Sequence, residues 1–255
     1  MQIVTAIVFV LLGLAIGSFL NVVIDRLPDR QSLIVPPSHC PACKRRLVLK
    51  DLIPVVSYIW LQGRCRYCQT RIPMRLLWVE VGSGAAFGLL YWYFGPSPEL
   101  AVTLLYFCLL LVIAVIDLNH NLILNRLVYP GIVIVLIVSG FGSSLTIVPG
   151  IDKAAIGGAI GLGLFLLIVI LSRGGMGLGD VKMAALMGLM LGYPSIITAI
   201  FLAVVVGGLV ALALMLTGVK GRKQTIPFGP FLALGAMLAL FWGSTIWEWY
   251  TGFFR

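Results

Sequence analysis

The stretch of sequence that decides the fold is SRGGMGLGDVKMAAL, residues 172–186, which lies between two long apolar runs. It places Asp180 directly after Gly177, Leu178 and Gly179, at or inside the edge of an apolar layer. A charged side chain at membrane depth costs roughly 2.5–3.5 kcal/mol even on lenient scales, so it indicates a functional site. Asp180 is therefore the first candidate functional residue.

The composition is that of a membrane protein. The chain has 255 residues, of which 60% are hydrophobic and 11% charged, and its mean hydropathy is +1.08. A water-soluble domain cannot bury that much apolar surface, so we predict an all-α polytopic membrane protein. The net charge is +9, but the sequence shows no recognisable nucleic-acid motif, and we expect no nucleic-acid partner.

Seven apolar runs each approach the roughly 20 residues that a bilayer-spanning helix needs. They cover residues 3–24, 76–94, 99–118, 126–142, 153–172, 195–217 and 228–250. An eighth apolar segment, residues 181–193, is shorter and would extend about 20 Å as a helix. Two groups of glycines have the small-xxx-small spacing that predicts close packing of helices. These are Gly82, Gly84 and Gly88, and Gly157, Gly158 and Gly161.

The distribution of charge decides whether the short segment crosses the membrane. Ten of the eighteen Lys and Arg residues lie in residues 26–75, and cytoplasmic loops carry an excess of such residues. The basic cluster at residues 220–223 should lie on the same side, which requires an even number of crossings after Arg173. Segment 181–193 must then pair with segment 195–217. The sequence predicts about eight transmembrane helices with a short sixth helix, and a re-entrant sixth segment is the alternative.

A cluster of cysteines lies in the basic loop after the first apolar run. CPAC at 40–43 and CRYC at 65–68 give two C-x2-C pairs separated by 21 residues, just beyond the usual zinc-ribbon spacing. Four such thiolates can surround one tetrahedral Zn²⁺ and leave no open coordination position, so the ion would be structural. Two disulfides are the alternative, which a reducing cytoplasmic loop disfavours. The predicted ligands are Cys40, Cys43, Cys65 and Cys68.

Asp117 is the second candidate functional residue. It ends the apolar run LVIAVID, and the order of crossings puts it on the same side of the membrane as Asp180. Two carboxylates within a few Å cannot both ionise easily, so they share one proton. The ionised member can take a proton from water while the protonated member donates to a scissile carbonyl oxygen. This is the chemistry of an aspartic protease. A zinc protease is disfavoured because H-E-x-x-H is missing and only His39 and His120 occur.

Four segments together resemble the bacterial type IV prepilin peptidases, which are bifunctional leader peptidase/N-methyltransferases. They are GSFLNVVIDRLP (17–28), the cysteine-bearing segment 39–80, GMGLGDVK (175–182) and IPFGPFLALG (226–235). The resemblance covers nearly the whole chain, with the four segments in the family's order. The sequence departs at Leu124, where the family commonly has proline, and at Asp25, where an aromatic residue is more frequent. Neither departure touches the two aspartates.

The resemblance implies a function and a set of site residues. Asp117 and Asp180 match the catalytic pair of a GxGD-type aspartic protease, and Gly63 falls at a glycine associated with methylation. The implied substrates are prepilins and pseudopilins, which carry a basic leader before a hydrophobic helix. Cleavage would be followed by methylation of the new terminal amine with S-adenosylmethionine as methyl donor. The implied location is the bacterial cytoplasmic (inner) membrane, with membrane lipids as partners and with the cysteine loop and aspartates on the cytoplasmic side.

The sequence and the resemblance together predict three parts. Residues 1–24 form a first transmembrane helix, residues 25–75 a zinc-binding domain associated with methyl transfer, and residues 76–255 a seven-helix aspartic peptidase domain. One alternative is a peptidase that lacks methyltransferase activity, which the four-cysteine loop disfavours. Another is a membrane transporter or assembly protein without enzymatic activity. In such a protein, acidic residues should be spread across the membrane depth.

Overall fold

The computed structural model describes residues 2–141, 145–172, 176–218 and 226–253. Its regular elements in these ranges are all helical, and two isolated β-bridges, His39–Arg46 and Arg64–Arg71, lie in the cysteine loop. The predicted all-α fold class is confirmed. Arg173 and the basic cluster at residues 220–223, on which the crossing order depended, lie outside the described residues.

Eight long helices make up most of the described chain, with one short helix and one 3-10 turn in the loop after the first. In chain order they are α1 (Gln2–Arg26), the 3-10 turn Leu49–Asp51, α2 (Val56–Trp60), α3 (Met74–Phe94), α4 (Pro98–His120), α5 (Asn125–Phe141), α6 (Ile151–Leu171), α7 (Leu178–Leu191), α8 (Ser195–Leu216) and α9 (Gly229–Gly252). The sixth long helix, α7, has 14 residues, so the predicted short sixth helix is confirmed.

Five of the described helices are long and apolar enough to cross a membrane: α1, α4, α6, α8 and α9. The apolar helix α5 has 17 residues and therefore falls just short of that length. The chain is accordingly a multi-pass membrane protein. At about 1.5 Å per residue, α7 is close to 21 Å long, less than the roughly 30 Å of a hydrocarbon core. That α3, α5 and α7 also span the bilayer stays a prediction.

The chain forms two compact units, Met1–Leu104 and Leu105–Arg255. In the first unit, α1 packs along α3. A side chain at Gly84 would lie 2.6 Å from the Leu14 side chain, and one at Gly88 would lie 2.6 Å from that of Val10. These two glycines therefore bring the helices together, as the sequence predicts. A Cβ added at Gly82 would meet nothing within 4 Å, and the same prediction is wrong for that glycine.

In the second unit, the short helix α7 is enclosed by α5, α6 and α9. Eight of its 14 residues are buried, among them Met183, Leu186 and Met190. Its closest neighbour is α6, where the backbones of Gly157 and Gly188 meet so tightly that a Cβ on either would overlap the other's carbonyl oxygen. The glycines thus let this short helix pack closely inside the bundle.

The contact between α6 and α7 predicts that two glycine substitutions in α6 differ in their effect on the free energy of unfolding. Gly157→Ala should destabilise the protein by about 1–3 kcal/mol, the usual cost of overpacking, because the added methyl group has no space. Gly163→Ala is the matched control, since nothing lies within 4 Å of a Cβ there. Thermal unfolding of the purified protein in detergent measures both. Equal transition temperatures for the two variants would contradict the close contact.

Candidate active site and metal site

Asp117 lies near the C-terminal end of α4, and its residue is only 5% exposed. The backbone N–H of Gly229 donates a hydrogen bond of 2.9 Å to its Oδ2 atom. Gly229 is the first residue of α9, so the carboxylate faces the N-terminus of that helix, where the backbone dipoles favour acceptors. A Cβ at position 229 would lie 2.7 Å from Oδ2, so the contact requires glycine.

Asp180 lies in the first turn of α7, whose N-terminal cap is Gly177. Its backbone N–H donates to the carbonyl oxygen of Gly177 over 3.2 Å. The next glycine allows a close approach, because a Cβ at Gly179 would lie 3.0 Å from Cβ of Ile123, which precedes α5. The glycines before Asp180 therefore let the start of α7 lie against the connection that follows Asp117.

The structure brings the two aspartates together in the second unit. The Asp117 carboxylate acts electrostatically on the Asp180 carboxylate, so the two groups lie within direct Coulombic range. Each group also lies at a helix N-terminus, Asp117 at that of α9 and Asp180 at that of α7. Ionisation of one such group disfavours ionisation of the other, which suits an arrangement in which they share one proton.

Lys182, two residues after Asp180, is directed to a different group. Its Nζ donates to Oδ1 of Asn125 over 2.9 Å and lies 5.8 Å from the centre of the Tyr129 ring. Asn125 is the first residue of α5. The lysine therefore joins the starts of α5 and α7 and supports the geometry around Asp180.

The four predicted metal ligands form one cluster in the first unit. The sulfur atoms of Cys40, Cys43, Cys65 and Cys68 all lie within 4.8 Å of one another, and the described cysteines form no disulfide. Cys40 Sγ and Cys68 Sγ are 3.8 Å apart. That distance equals the edge of a tetrahedron with metal–sulfur bonds of 2.3 Å, which is about 3.8 Å. The cluster can hold a metal ion.

The two halves of the cluster have the same backbone geometry. In the first, Lys44 N–H donates to the Cys40 carbonyl over 2.9 Å, and in the second, Gln69 N–H donates to the Cys65 carbonyl over 3.0 Å. Lys44 and Gln69 both have left-handed backbone angles, with φ of 57° and 58°. Non-glycine residues seldom adopt such angles, so their repetition indicates that both turns are shaped to point two thiols at one centre.

The thiols on the exposed side of the cluster differ in acidity. Hydrogen bonds with the side chain and backbone of Thr70 lower the pKa of Cys68 to about 6. At Cys43 a backbone hydrogen bond with Arg45 lowers the pKa, but desolvation and hydrogen bonds with Cys68 and Cys40 outweigh it and raise the pKa to about 11. A cation must displace the remaining protons, so metal binding is expected to release protons and to weaken in acid.

Gly63 lies in a turn just before the second cysteine pair. Its φ is +66°, and its backbone N–H donates to the Tyr58 carbonyl over 2.9 Å. A Cβ at this position would lie 2.9 Å from the hydroxyl oxygen of Tyr58, whose O–H donates to the Ile72 carbonyl over 3.3 Å. Gly63 therefore supports the position of the Tyr58 ring. Its role in binding a cofactor stays a prediction.

Two contacts were missed by the sequence analysis. The hydrogen bond from Gly229 to Asp117 was indicated by one feature of the sequence. Phe-Gly-Pro opens an apolar run, and proline commonly lies in the first turn of a helix, so this glycine could have been placed at a helix N-terminus. The second contact joins Glu80 to the cysteine loop, since Glu80 Oε2 accepts the backbone N–H of Val55 over 2.8 Å. Val55 has φ of 62°, which is rare for a β-branched residue. Glu80 therefore fixes a strained point of the cysteine loop to α3.

Comparisons with known proteins give matches over both units. The family model described as "Bacterial Peptidase A24 N-terminal domain" matches residues 11–94, and the one described as "Type IV leader peptidase family" matches residues 104–212. No solved structure gives a significant match.

Curated relatives align with almost the full chain. A "Prepilin leader peptidase/N-methyltransferase" of Bacillus subtilis (strain 168) is 32% identical over 241 residues, covering 93% of this chain and 94% of that protein. The proteins of the same name from Stutzerimonas stutzeri and Pseudomonas aeruginosa are 34% and 32% identical. The alignments cover 96% of this chain in both cases, and 93% and 92% of those proteins.

The cysteine cluster predicts the metal content of its variants. Purified wild-type protein should contain about one ion per chain, and Cys65→Ser should contain almost none, because three thiolates and a hydroxyl bind far more weakly. Cys108→Ser is the matched control, since Cys108 lies in α4 outside the cluster. Inductively coupled plasma mass spectrometry measures the metal. Wild-type metal content in Cys65→Ser would contradict the ligand set.

Proposed function

The chain belongs to the type IV leader peptidase family, and we propose that Asp117 and Asp180 are the catalytic pair with which it cleaves the leader peptide of prepilins. It is an aspartic peptidase and N-methyltransferase, in keeping with relatives that match it over more than nine-tenths of its length. The observation that carries the proposal is the electrostatic interaction between two acidic side chains in the second unit. They come from different helices, each beside a helix N-terminus.

The geometry supports a general acid–base mechanism. The ionised carboxylate takes a proton from a water molecule as the water oxygen bonds to the scissile carbonyl carbon, and the protonated carboxyl donates to the carbonyl oxygen. When the carbon–nitrogen bond breaks, a proton moves to the leaving amine. The Gly229 N–H holds Oδ2 of Asp117, so Oδ1 stays available for proton transfer. The backbone of α9 thereby orients one of the two acids.

The position of the acids also accounts for the class of substrate. A prepilin helix can enter the bilayer beside the enzyme, which places the junction with the basic leader at the level of Asp117 and Asp180. The aspartates and the cysteine loop would face the cytoplasm of a bacterial inner membrane, because ten of the eighteen basic residues lie in residues 26–75. This positive loop repels a basic leader, and anionic lipid head groups at the same surface would offset that repulsion.

The metal that best fits the cysteine cluster is Zn²⁺ in a structural role. Four thiolates in two matching turns satisfy its tetrahedral preference and leave no position for a substrate. The loop between α1 and α3 has only the short helix α2 and one 3-10 turn. A segment with so little core depends on the metal for much of its folding energy.

The methyl donor of the second activity would be S-adenosylmethionine. It supplies an electrophilic methyl group, to which the new terminal amine bonds as the carbon–sulfur bond breaks and its electron pair passes to sulfur. The amine then loses one proton to water. The residues of this chain must hold the donor with its methyl group facing the amine, and the first unit contains the loop associated with methylation.

Substitution of either acid tests the peptidase mechanism. Asp117→Asn and Asp180→Asn should each lower kcat for cleavage of a prepilin peptide by at least about 100-fold, because each acid transfers a proton that asparagine cannot. Asp152→Asn is the matched control, since Asp152 is exposed at the start of α6. Metal content and thermal unfolding verify that the variants are folded. Cleavage at the wild-type rate by either dyad variant would exclude the proposed mechanism.

A substitution in α9 tests the backbone contact separately. Gly229→Ala should lower kcat about tenfold or more with a smaller change in KM, because the new methyl group displaces the Asp117 carboxylate from its hydrogen bond. Gly252→Ala, at the other end of α9, has nothing within 4 Å of the added atom and should retain wild-type kinetics. If Gly229→Ala cleaves as fast as Gly252→Ala, the contact has no part in catalysis.

A further inference from the structure

The first unit contains a cavity of about 520 Å³ that the peptidase mechanism does not use. Its walls come from the end of α1, the cysteine loop and the start of α3, and they include Asn21, Asp51, Tyr58, Arg71 and Glu80. Cavities of about 300–1,000 Å³ are of the size that binds small molecules and cofactors in proteins. The cavity is therefore large enough for a ligand.

Two buried acceptors on the wall of this cavity have no hydrogen-bond partner among the described atoms. Asn21 is 4% exposed, and while its Nδ2 donates to the Leu76 carbonyl over 3.0 Å, its Oδ1 is unpartnered. The Asp51 side chain is 2% exposed, and while its Oδ1 accepts Arg66 Nε over 2.7 Å, its Oδ2 is unpartnered. Buried acceptors are almost always satisfied, so both indicate donors supplied from the cavity.

Charged groups of both signs surround these acceptors. Arg75 pairs with Asp25 at the cavity wall. Arg26 is 9% exposed and donates to the Ser32 carbonyl over 2.9 Å, and Arg71 belongs to the same wall. A ligand that satisfies the two acceptors must carry hydrogen-bond donors, and an acidic group on it would have Arg71 as a partner. A purely apolar occupant would leave the two acceptors unsatisfied.

We propose that this cavity is the S-adenosylmethionine site of the enzyme, an assignment that rests on the methyltransferase activity described above. The ligand carries an ammonium group, an adenine amino group and two ribose hydroxyls, any of which can donate to Asn21 and Asp51. Its carboxylate can pair with an arginine such as Arg71. It is a flexible, polar molecule of drug-like size, which the volume accommodates.

Three other features of the first unit lie at this cavity or position its wall, so they would also affect methylation. Cys40 and Cys65 contribute to its wall, so the metal cluster holds part of the site in shape. Tyr58 also lies on the wall, and Gly63, which is absent from the wall, keeps space for the Tyr58 hydroxyl. Glu80 lies on the wall and fixes Val55. A glycine outside the cavity can therefore matter for methylation because it positions the tyrosine.

Binding of S-adenosylmethionine to the full chain in detergent tests the assignment by isothermal titration calorimetry. Asp51→Asn keeps an oxygen for Arg66 but replaces the free acceptor with a donor, and it should weaken binding at least tenfold, which corresponds to about 1.4 kcal/mol. Asp29→Asn, an exposed residue of the same loop, should bind as the wild type does. Metal content reports whether the Asp51→Asn loop is folded. Unchanged affinity in a folded Asp51→Asn would overturn the assignment.

A second measurement uses the wild-type chain and does not depend on a folded variant. Ultraviolet irradiation with S-adenosylmethionine carrying a tritiated methyl group should label peptides within residues 18–80. Label confined to residues 105–255 would overturn the cavity assignment and leave the methyltransferase activity standing. Failure of the wild-type protein to bind the compound at all would instead reject the methyl donor itself, together with this site. Cleavage of the prepilin peptide, assayed on the same preparation, reports on the peptidase separately.

Discussion

The constraint on which the rest of the second unit depends is that two acidic groups must be accommodated inside an apolar helix bundle. A buried carboxylate without a partner is strongly unfavourable, and Asp117 obtains its partner from the backbone N–H of Gly229. Asp180 lies in the first turn of α7, where free backbone N–H groups and the helix dipole favour an acceptor. Glycine recurs at these points because backbone can approach a carboxylate or a neighbouring helix only where no Cβ intervenes.

The first unit meets a different constraint, a shortage of apolar core. The segment between α1 and α3 has one five-residue helix and one 3-10 turn, and its fixed points are the cysteine cluster and the bond from Glu80 to Val55. These fixed points lie around a cavity in whose wall the buried acceptors of Asn21 and Asp51 have no hydrogen-bond partner among the described atoms. A metal that organises the loop would thereby also organise a site for a methyl donor.

The sequence could predict the helices, the short sixth helix and the clustering of four cysteines, because length, hydropathy and cysteine spacing are local properties. The two aspartates were recognisable because only nine acidic residues occur and each could be considered in turn. The partner of Asp117 could not be predicted, since Gly229 lies more than one hundred residues away and meets it only in the folded bundle. The burial of Asp51 was harder still to predict. Asp51 lies in a basic loop, where a solvated ion pair is the usual expectation, yet its side chain is 2% exposed.

The most direct measurement of the central claim is a structure of the enzyme in a lipid nanodisc with a prepilin peptide analogue that carries a hydroxyl at the position of the scissile carbonyl. The account predicts that the hydroxyl oxygen lies within about 2.6–3.2 Å of a carboxylate oxygen of both Asp117 and Asp180, while Gly229 N–H still donates to Asp117. A structure with the two carboxylates on opposite membrane faces, or with the analogue's hydroxyl away from either acid, would contradict it.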